Sequence, residues 1–231
     1  MSTKEHPIIM SAESVRAILD GQKTQTRRVI KPQPVPTLEK ICLVSDRWEI
    51  GQEGYVPADQ RNTWQCNTVI KCPYGKVGDR LWVRETWDFR AMKGACAVNR
   101  IVIIGYEADD TAKAVHVPLG YNPVVHRKKR SSIHMPKWAA RIWLEITNVR
   151  VERIKDIDEN DACAEGCELY TPETNLGPER TFQRLWDSIN KKRGFGWEVN
   201  PWVWVVEFKR VESKAAAVAD EVKIPGPKAA R

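Results

Sequence analysis

No stretch of the 231-residue chain approaches the ~18 consecutive apolar residues that a membrane-spanning helix needs, and no membrane association is expected. The opening residues, Met1 to Ser14, lack the long apolar core of a signal peptide, so the expected compartment is the cytoplasm. No CxxC pair occurs among the cysteines, Cys42, Cys66, Cys72, Cys96, Cys163 and Cys167. Histidine is scarce, at four residues, and none stands near Cys163 and Cys167 to complete a metal site. Neither a metal nor a cofactor is therefore expected, and the thiols are expected free in a reducing compartment. No internal repeat and no regular strand–helix–strand rhythm runs through the sequence.

What is present is ordinary globular material. The hydrophobic share is 42% and the charged share 29%, which excludes wholesale disorder. The length allows one large domain or two small ones, with a core large enough to need no staples. The net charge of +7 favours polyanionic partners. Part of that excess sits in Arg127-Lys128-Lys129-Arg130, which reads either as a solvated loop or as a phosphate-contacting patch.

Pro7 to Met10 reads as a short strand. Ser11 then caps a helix whose Val15, Ile18 and Leu19 form one apolar stripe, and Gly21 ends it in a left-handed turn. Thr24 to Ile30 resumes an extended pattern until the prolines at 32, 34 and 36 break it. Gly75 to Asp79 turns into a strand in which Leu81, Val83 and Glu85 share one face and Trp82, Arg84 and Thr86 the other. Ile101 to Tyr106 reads as a buried strand, and Arg141 to Ile154 as a long one bent at Asn148. Asp158 caps a helix carrying Ala162 and Glu165 and ending at Gly166. A further helix over Pro178 to Asn190 places Phe182, Leu185, Trp186 and Ile189 on one stripe. Trp202 to Val206, apolar on both faces, reads as a central strand. These elements predict an α+β fold, a closed or half-closed β-barrel flanked by helices.

The segment richest in chemistry is Gly21-Gln22-Lys23-Thr24-Gln25-Thr26-Arg27-Arg28. A helix ends and a strand begins there, which sets Lys23, Thr26 and Arg28 near a strand mouth. Cations so placed grip phosphate or a base carbonyl, and a lysine sheltered from water can serve as general base to a nearby hydroxyl. The plainer alternative is an exposed basic turn.

The run Gly-x-Lys-Thr-x-Thr-x-Arg resembles the signature of ASCH-domain proteins, a branch of the PUA-like superfamily. Further phrases are similar to a subgroup common in tailed phages and prophages: Val15 to Gly21, Cys72-Pro73-Tyr74-Gly75, Gly78 to Trp87, Ser132 to Pro136 and Asn200 to Trp204. The resemblance covers residues 7–211. It implies a PUA-like β-barrel with insertions at about 38–75 and 88–140, following a flexible N-terminus (1–6); after Val211 the composition shifts and reads as a disordered tail (212–231). It also implies nucleosides or RNA as partners. Within the superfamily, the motif is similar to that of the bacterial acetylcytidine amidohydrolases. By that likeness Lys23 activates Thr26 as nucleophile, Glu165 is the general acid and Arg28 orients the base.

Other candidates are Trp87, ending a strand with Arg84 and Glu85 at the cleft, and His134 after the basic loop. Trp186 and Trp204, on apolar stripes, read as core. Three functions follow: a hydrolase of an acylated pyrimidine nucleoside, a non-catalytic RNA- or nucleotide-binding module (a ribonuclease-like protein included), or a phage accessory protein acting on a host protein. The hydrolase requires Lys23, Thr26 and Glu165 to converge. The binding module requires a basic surface with steep salt dependence, and the accessory protein an exposed apolar patch. Because Lys23 reads as a cleft residue, its replacement by alanine is expected to leave the fold intact.

Overall fold

Ser11 does what its position predicts: its hydroxyl accepts the Ser14 amide at 3.2 Å and caps α1 (Ala12–Leu19), an arrangement worth about 1 kcal/mol. This helix links β1 (Glu5–Ile9) to β2 (Gln25–Val29). Gly21, at φ 75°, takes the left-handed turn between helix and strand. The structure, a computed structural model, describes residues 3–33, 40–44, 47–51, 66–93, 101–118, 128–167 and 176–212. The expected tail beyond 212, and Arg127, lie outside the described residues.

Within the first expected insertion, β3 (Lys40–Val44), β4 (Arg47–Gly51) and β5 (Cys66–Ile70) form a three-stranded antiparallel sheet. In the second, β7 (Trp87–Lys93), β8 (Ile101–Tyr106) and β9 (Ala112–His116) form another, with a core of Trp87, Phe89, Val102, Ile104 and Tyr106 closed by Met135 and Ala139. The remaining strands are β6 (Arg80–Arg84), β10 (Trp143–Arg153) and β11 (Trp202–Val211). They join β1 and β2 in a five-stranded sheet of order β1-β6-β10-β11-β2, parallel only between β1 and β6. Two helices complete the α+β architecture: α2 (Glu159–Ala164) and α3 (Pro178–Asn190).

Strand β11 is apolar on both faces because both are covered. Trp204, Val206 and Phe208 pack with Ile8, Val15, Ile18 and Leu81, while Val203 and Val205 pack with Ile154, Phe182 and Trp186. Strand alternation thus sorts the polar residues of β2 as well. Thr26 and Arg28, opposite Val206 and Trp204, turn to the α1 side; Gln25 and Arg27 turn to the α2–α3 side.

Three expectations need adjustment. Among the described residues no ladder joins edge strands β1 and β2, so hydrogen bonding does not close this sheet into a barrel. Arg28 Nη2 reaches across instead and donates to the Ile9 carbonyl at 2.6 Å. The stripe on α3 is narrower than predicted: Phe182 and Trp186 are buried one turn apart, but Leu185 and Ile189 are exposed, because α3 packs along the Phe182–Trp186–Asn190 line. The expected bend of β10 is a register slip between Ile146 and Asn148, one residue earlier than Asn148 itself.

Candidate functional site

Lys23 is set by backbone before its side chain is considered. Its amide and that of Gln22 both donate to Ala17 O at 2.9 Å, wrapping the chain under the end of α1. One residue on, the Thr24 amide donates to Ala164 O in α2, and Thr24 O accepts from Phe208 in β11. The lysine is therefore held between two helices and the central strand. Gly166 makes room: at φ 89° it turns the chain out of α2, and a Cβ there would lie 3.0 Å from Ala17 Cβ and 3.4 Å from Lys23 Cβ.

In that space Lys23 Nζ donates at 2.6 Å to the Glu165 carbonyl and at 2.6 Å to Glu165 Oε2. The first bond satisfies a carbonyl left over at the end of α2. The second is a salt bridge whose side chains are each 4% exposed. Residues that sequence reading linked only through resemblance are thus in contact, and the alternative of an exposed basic turn is overturned for Lys23.

Around this pair lies a network that sequence reading missed. Arg27, its side chain fully enclosed, bonds Asp161 and Glu152, and its Nη1 lies 3.5 Å from Glu165 Oε1. Arg150 grips both Asp161 oxygens at 2.8 and 2.9 Å and also bonds Glu152 and Glu207. Gln25 joins Asp161 at 3.2 Å. Burial pushes the Asp161 carboxyl up, but Arg27 and Arg150 outweigh it and hold the group below its ordinary range. Arg27 Nη1 and Nε and Glu165 Oε1 are enclosed and have no hydrogen-bond partner. One signal for this network was available: adjacent arginines on a strand must point to opposite faces, so Arg27 had to go where Arg28 does not.

Thr26 is the third member of the expected triad. It is buried, yet it faces the α1 side of β2, away from Arg27, and no hydrogen bond joins its hydroxyl to Lys23 or Glu165 among the described residues. Arg28 shares that face, bonded to Ile9 O and Met10 Sδ, with an enclosed Nε that has no partner.

The remaining candidates gather elsewhere. Glu85 is buried and gripped by Arg141 through both oxygens, at 2.8 and 2.7 Å; Arg141 also bonds Asp109 and lies 4.2 Å over the Tyr106 ring. Burial raises the Glu85 carboxyl despite Arg141. Trp87 is not a cleft aromatic but a core residue, edge-on to Phe89 at 4.8 Å. Arg84 donates to Ser132 O and lies over the Trp82 ring. In the basic loop Lys128 is exposed, Lys129 bonds Glu107, and Arg130 lies 4.7 Å over Phe89 while its backbone pairs with Trp87. His134 is exposed at the end of a short 3-10 turn. No hydrogen bond or ion pair joins Glu85 or Trp87 to Lys23 or Glu165 among the described residues.

Among the described residues no group of His, Cys, Asp and Glu is placed to hold a metal. Burial pushes the Cys72 and Cys167 thiols up to about 11, which keeps both as thiols at neutral pH. No described helix is long and apolar enough to cross a membrane.

No family model and no curated protein matches the chain. Among solved structures it is similar to the crystal structure of protein EF3133 from Enterococcus faecalis V583, family-model DUF984. That likeness has a TM-score of 0.39 and 10% identity, covering 92% of this chain and 82% of that one. A likeness of that size carries no argument for fold or function.

Proposed function

We propose that the chain is an ASCH-domain hydrolase that removes an acyl group from the exocyclic amine of a pyrimidine nucleoside, acetylcytidine being the model substrate. The five-stranded sheet then corresponds to the PUA-like barrel, bridged by Arg28 where its edges do not pair. One observation carries the reading: an ammonium and a carboxylate from segments 142 residues apart meet at 2.6 Å in a buried place. An enclosed acid and base in direct contact are the groups from which general acid–base catalysis is built.

In the proposed reaction Lys23 first passes a proton to Glu165 and becomes a free amine. The amine takes the Thr26 hydroxyl proton as Oγ1 bonds to the acyl carbon. As the C–N bond breaks, protonated Glu165 gives its proton to the departing amine. Water then cleaves the acyl-threonine ester: its hydroxyl leaves with the acyl group as the free acid and its proton restores the Thr26 hydroxyl. An ammonium has three N–H donors, and two of those on Lys23 are engaged with Glu165, which leaves one for Thr26 or substrate. Thr26 must come within reach of Lys23 Nζ when substrate binds. Arg28, with its unpartnered Nε, is the cation available on the Thr26 face to orient the base carbonyl.

The test is turnover of acetylcytidine by the parent and by Lys23→Met. Deacetylation by the parent, lost in the variant, supports the hydrolase. RNA binding with a steep salt slope and no turnover would support the binding module instead. Neither activity would leave the accessory role on a host protein.

A further inference from the structure

The network of the candidate acid holds unequal numbers of charges: three cations (Lys23, Arg27, Arg150) face four carboxylates (Glu165 itself, Asp161, Glu152, Glu207). Such a set can hold one proton on a carboxyl without leaving a cation unpaired. Which carboxyl holds it depends on how the cations are shared. Arg27 is the deciding one, because it alone stands between Glu165 on one side and Asp161 and Glu152 on the other. Its hydrogen bonds go to Asp161 and Glu152; towards Glu165 it offers only Nη1 at 3.5 Å, without a hydrogen bond. Asp161 in turn is fixed by Arg150 from β10 and by Gln25 from β2, the strand of Arg27, and sits one helical turn before Glu165.

We propose that Asp161 is a positioning residue for the Lys23–Glu165 pair: by holding the Arg27 guanidinium, it keeps that cation from taking Glu165 for itself, so Glu165 exchanges its proton with Lys23. This rests on the hydrolase reading above. Among the described residues, the charged and titratable groups that face Glu165 are Lys23 from the turn before β2, Arg27 from β2 and Cys167 beyond α2. The Cys167 thiol, raised by burial to about 11, adds no charge at neutral pH. Asp161 and Glu152 act through Arg27. Without the Asp161 charge, Arg27 has free donors within 3.5 Å of an oxygen that lacks a partner.

The test uses Asp161→Asn, which keeps the size and an acceptor oxygen, and Glu152→Gln, which removes the other anchor of Arg27 from a different element. The carbon-13 signal of the Glu165 carboxyl, assigned by its loss in Glu165→Gln, is followed through an acid titration in the parent and both variants. A midpoint moved to lower pH in both variants, as a second cation pairs with Glu165, is the expected result; an unmoved midpoint in both overturns the proposal. Turnover separates positioning from damage. Acetylcytidine needs a proton on its departing amine, whereas p-nitrophenyl acetate loses a phenolate that needs none. Asp161→Asn is expected to lose about tenfold or more on the amide than on the ester. Equal losses on both would reduce Asp161 to a structural residue and overturn the proposal. A parent inactive on both substrates would defeat the hydrolase reading, while the carboxyl signal would still decide whether Asp161 controls Glu165.

Discussion

Lys23 and Glu165 form a bond that is both ionic and fully enclosed: 2.6 Å from Nζ to Oε2, with each side chain 4% exposed. A pair of this kind is more dangerous to break than to lack. Removing one partner leaves a buried charge uncompensated, at about 3–5 kcal/mol. Lys23→Met and Glu165→Gln are each expected to destabilise by that order, and the double variant by less than their sum. Urea denaturation of the four proteins measures the coupling, and additive losses would contradict the pair. The same argument revises the expectation that Lys23→Ala leaves the fold intact, since Lys23 is no cleft residue but part of the interior.

Thr26 separates the nucleophile from the acid–base pair. Thr26→Ala removes a hydroxyl without a hydrogen bond to Lys23 or Glu165, so stability should change by only about 1 kcal/mol. Turnover of acetylcytidine should fall to background, and the parent, quenched with substrate, should carry an acetyl group on Thr26 by mass spectrometry. Full activity in Thr26→Ala would assign attack to water.

How the site was legible, and how far, follows from the kinds of signal involved. The cap at Ser11, the left-handed Gly21, the helix end at Gly166, the central strand at Trp202 and the helix from Pro178 to Asn190 are local or periodic features, and each appears where the sequence puts it. Lys23 and Glu165 were named through a motif. Of their neighbours, only the face that Arg27 takes was legible; Asp161, Glu152 and Arg150 were not, because a polar edge strand has no hydrophobic period and its ion-pair partners come from β10 and α2, more than a hundred residues away. Trp87 was misplaced because strand position alone does not tell which sheet covers an aromatic ring. Arg130 and Met135, from the segment after β9, do so here.

The Glu85–Arg141–Asp109 cluster sets an acid limit to stability. Burial works to raise the Asp109 carboxyl, but the Arg141 bond and two bonds from Thr111 bring it down to about 2. A depressed carboxyl stabilises the fold above its unfolded value and loses that contribution as pH falls through about 2. Glu85, raised by burial, acts in the opposite sense and favours the fold as acid is added. Stability should therefore drop between about pH 4 and 2, and Asp109→Asn should flatten the drop in denaturation midpoints. An unchanged slope would remove Asp109 from the account.

The basic loop reads from sequence as either solvated or phosphate-contacting, and Arg130 within it lies over Phe89 and Trp87 at 4.7 and 5.4 Å. Arg130→Ser should then act on stability, lowering it by about 0.5–2 kcal/mol through the lost ring contacts. A drop in RNA affinity with a flatter salt slope, at unchanged melting temperature, would return the residue to the phosphate-binding reading.

Gly166 offers the sharpest test of how closely the site is built. Any residue but glycine there meets two obstacles, a backbone φ of 89° and a Cβ pressed to 3.0 Å from Ala17 and 3.4 Å from Lys23. Gly194 shares the first obstacle, at φ 82°, but has nothing within 4 Å of its Cβ. Alanine at Gly194 should therefore report backbone strain alone, about 1–2 kcal/mol, and leave turnover as it is. Alanine at Gly166 should cost more, because α1 and the lysine stem must move apart. It should also slow turnover by displacing Nζ from Glu165, an effect strain elsewhere cannot produce. If the two variants match in both stability and rate, the packing of Gly166 against Lys23 has no part in placing the pair.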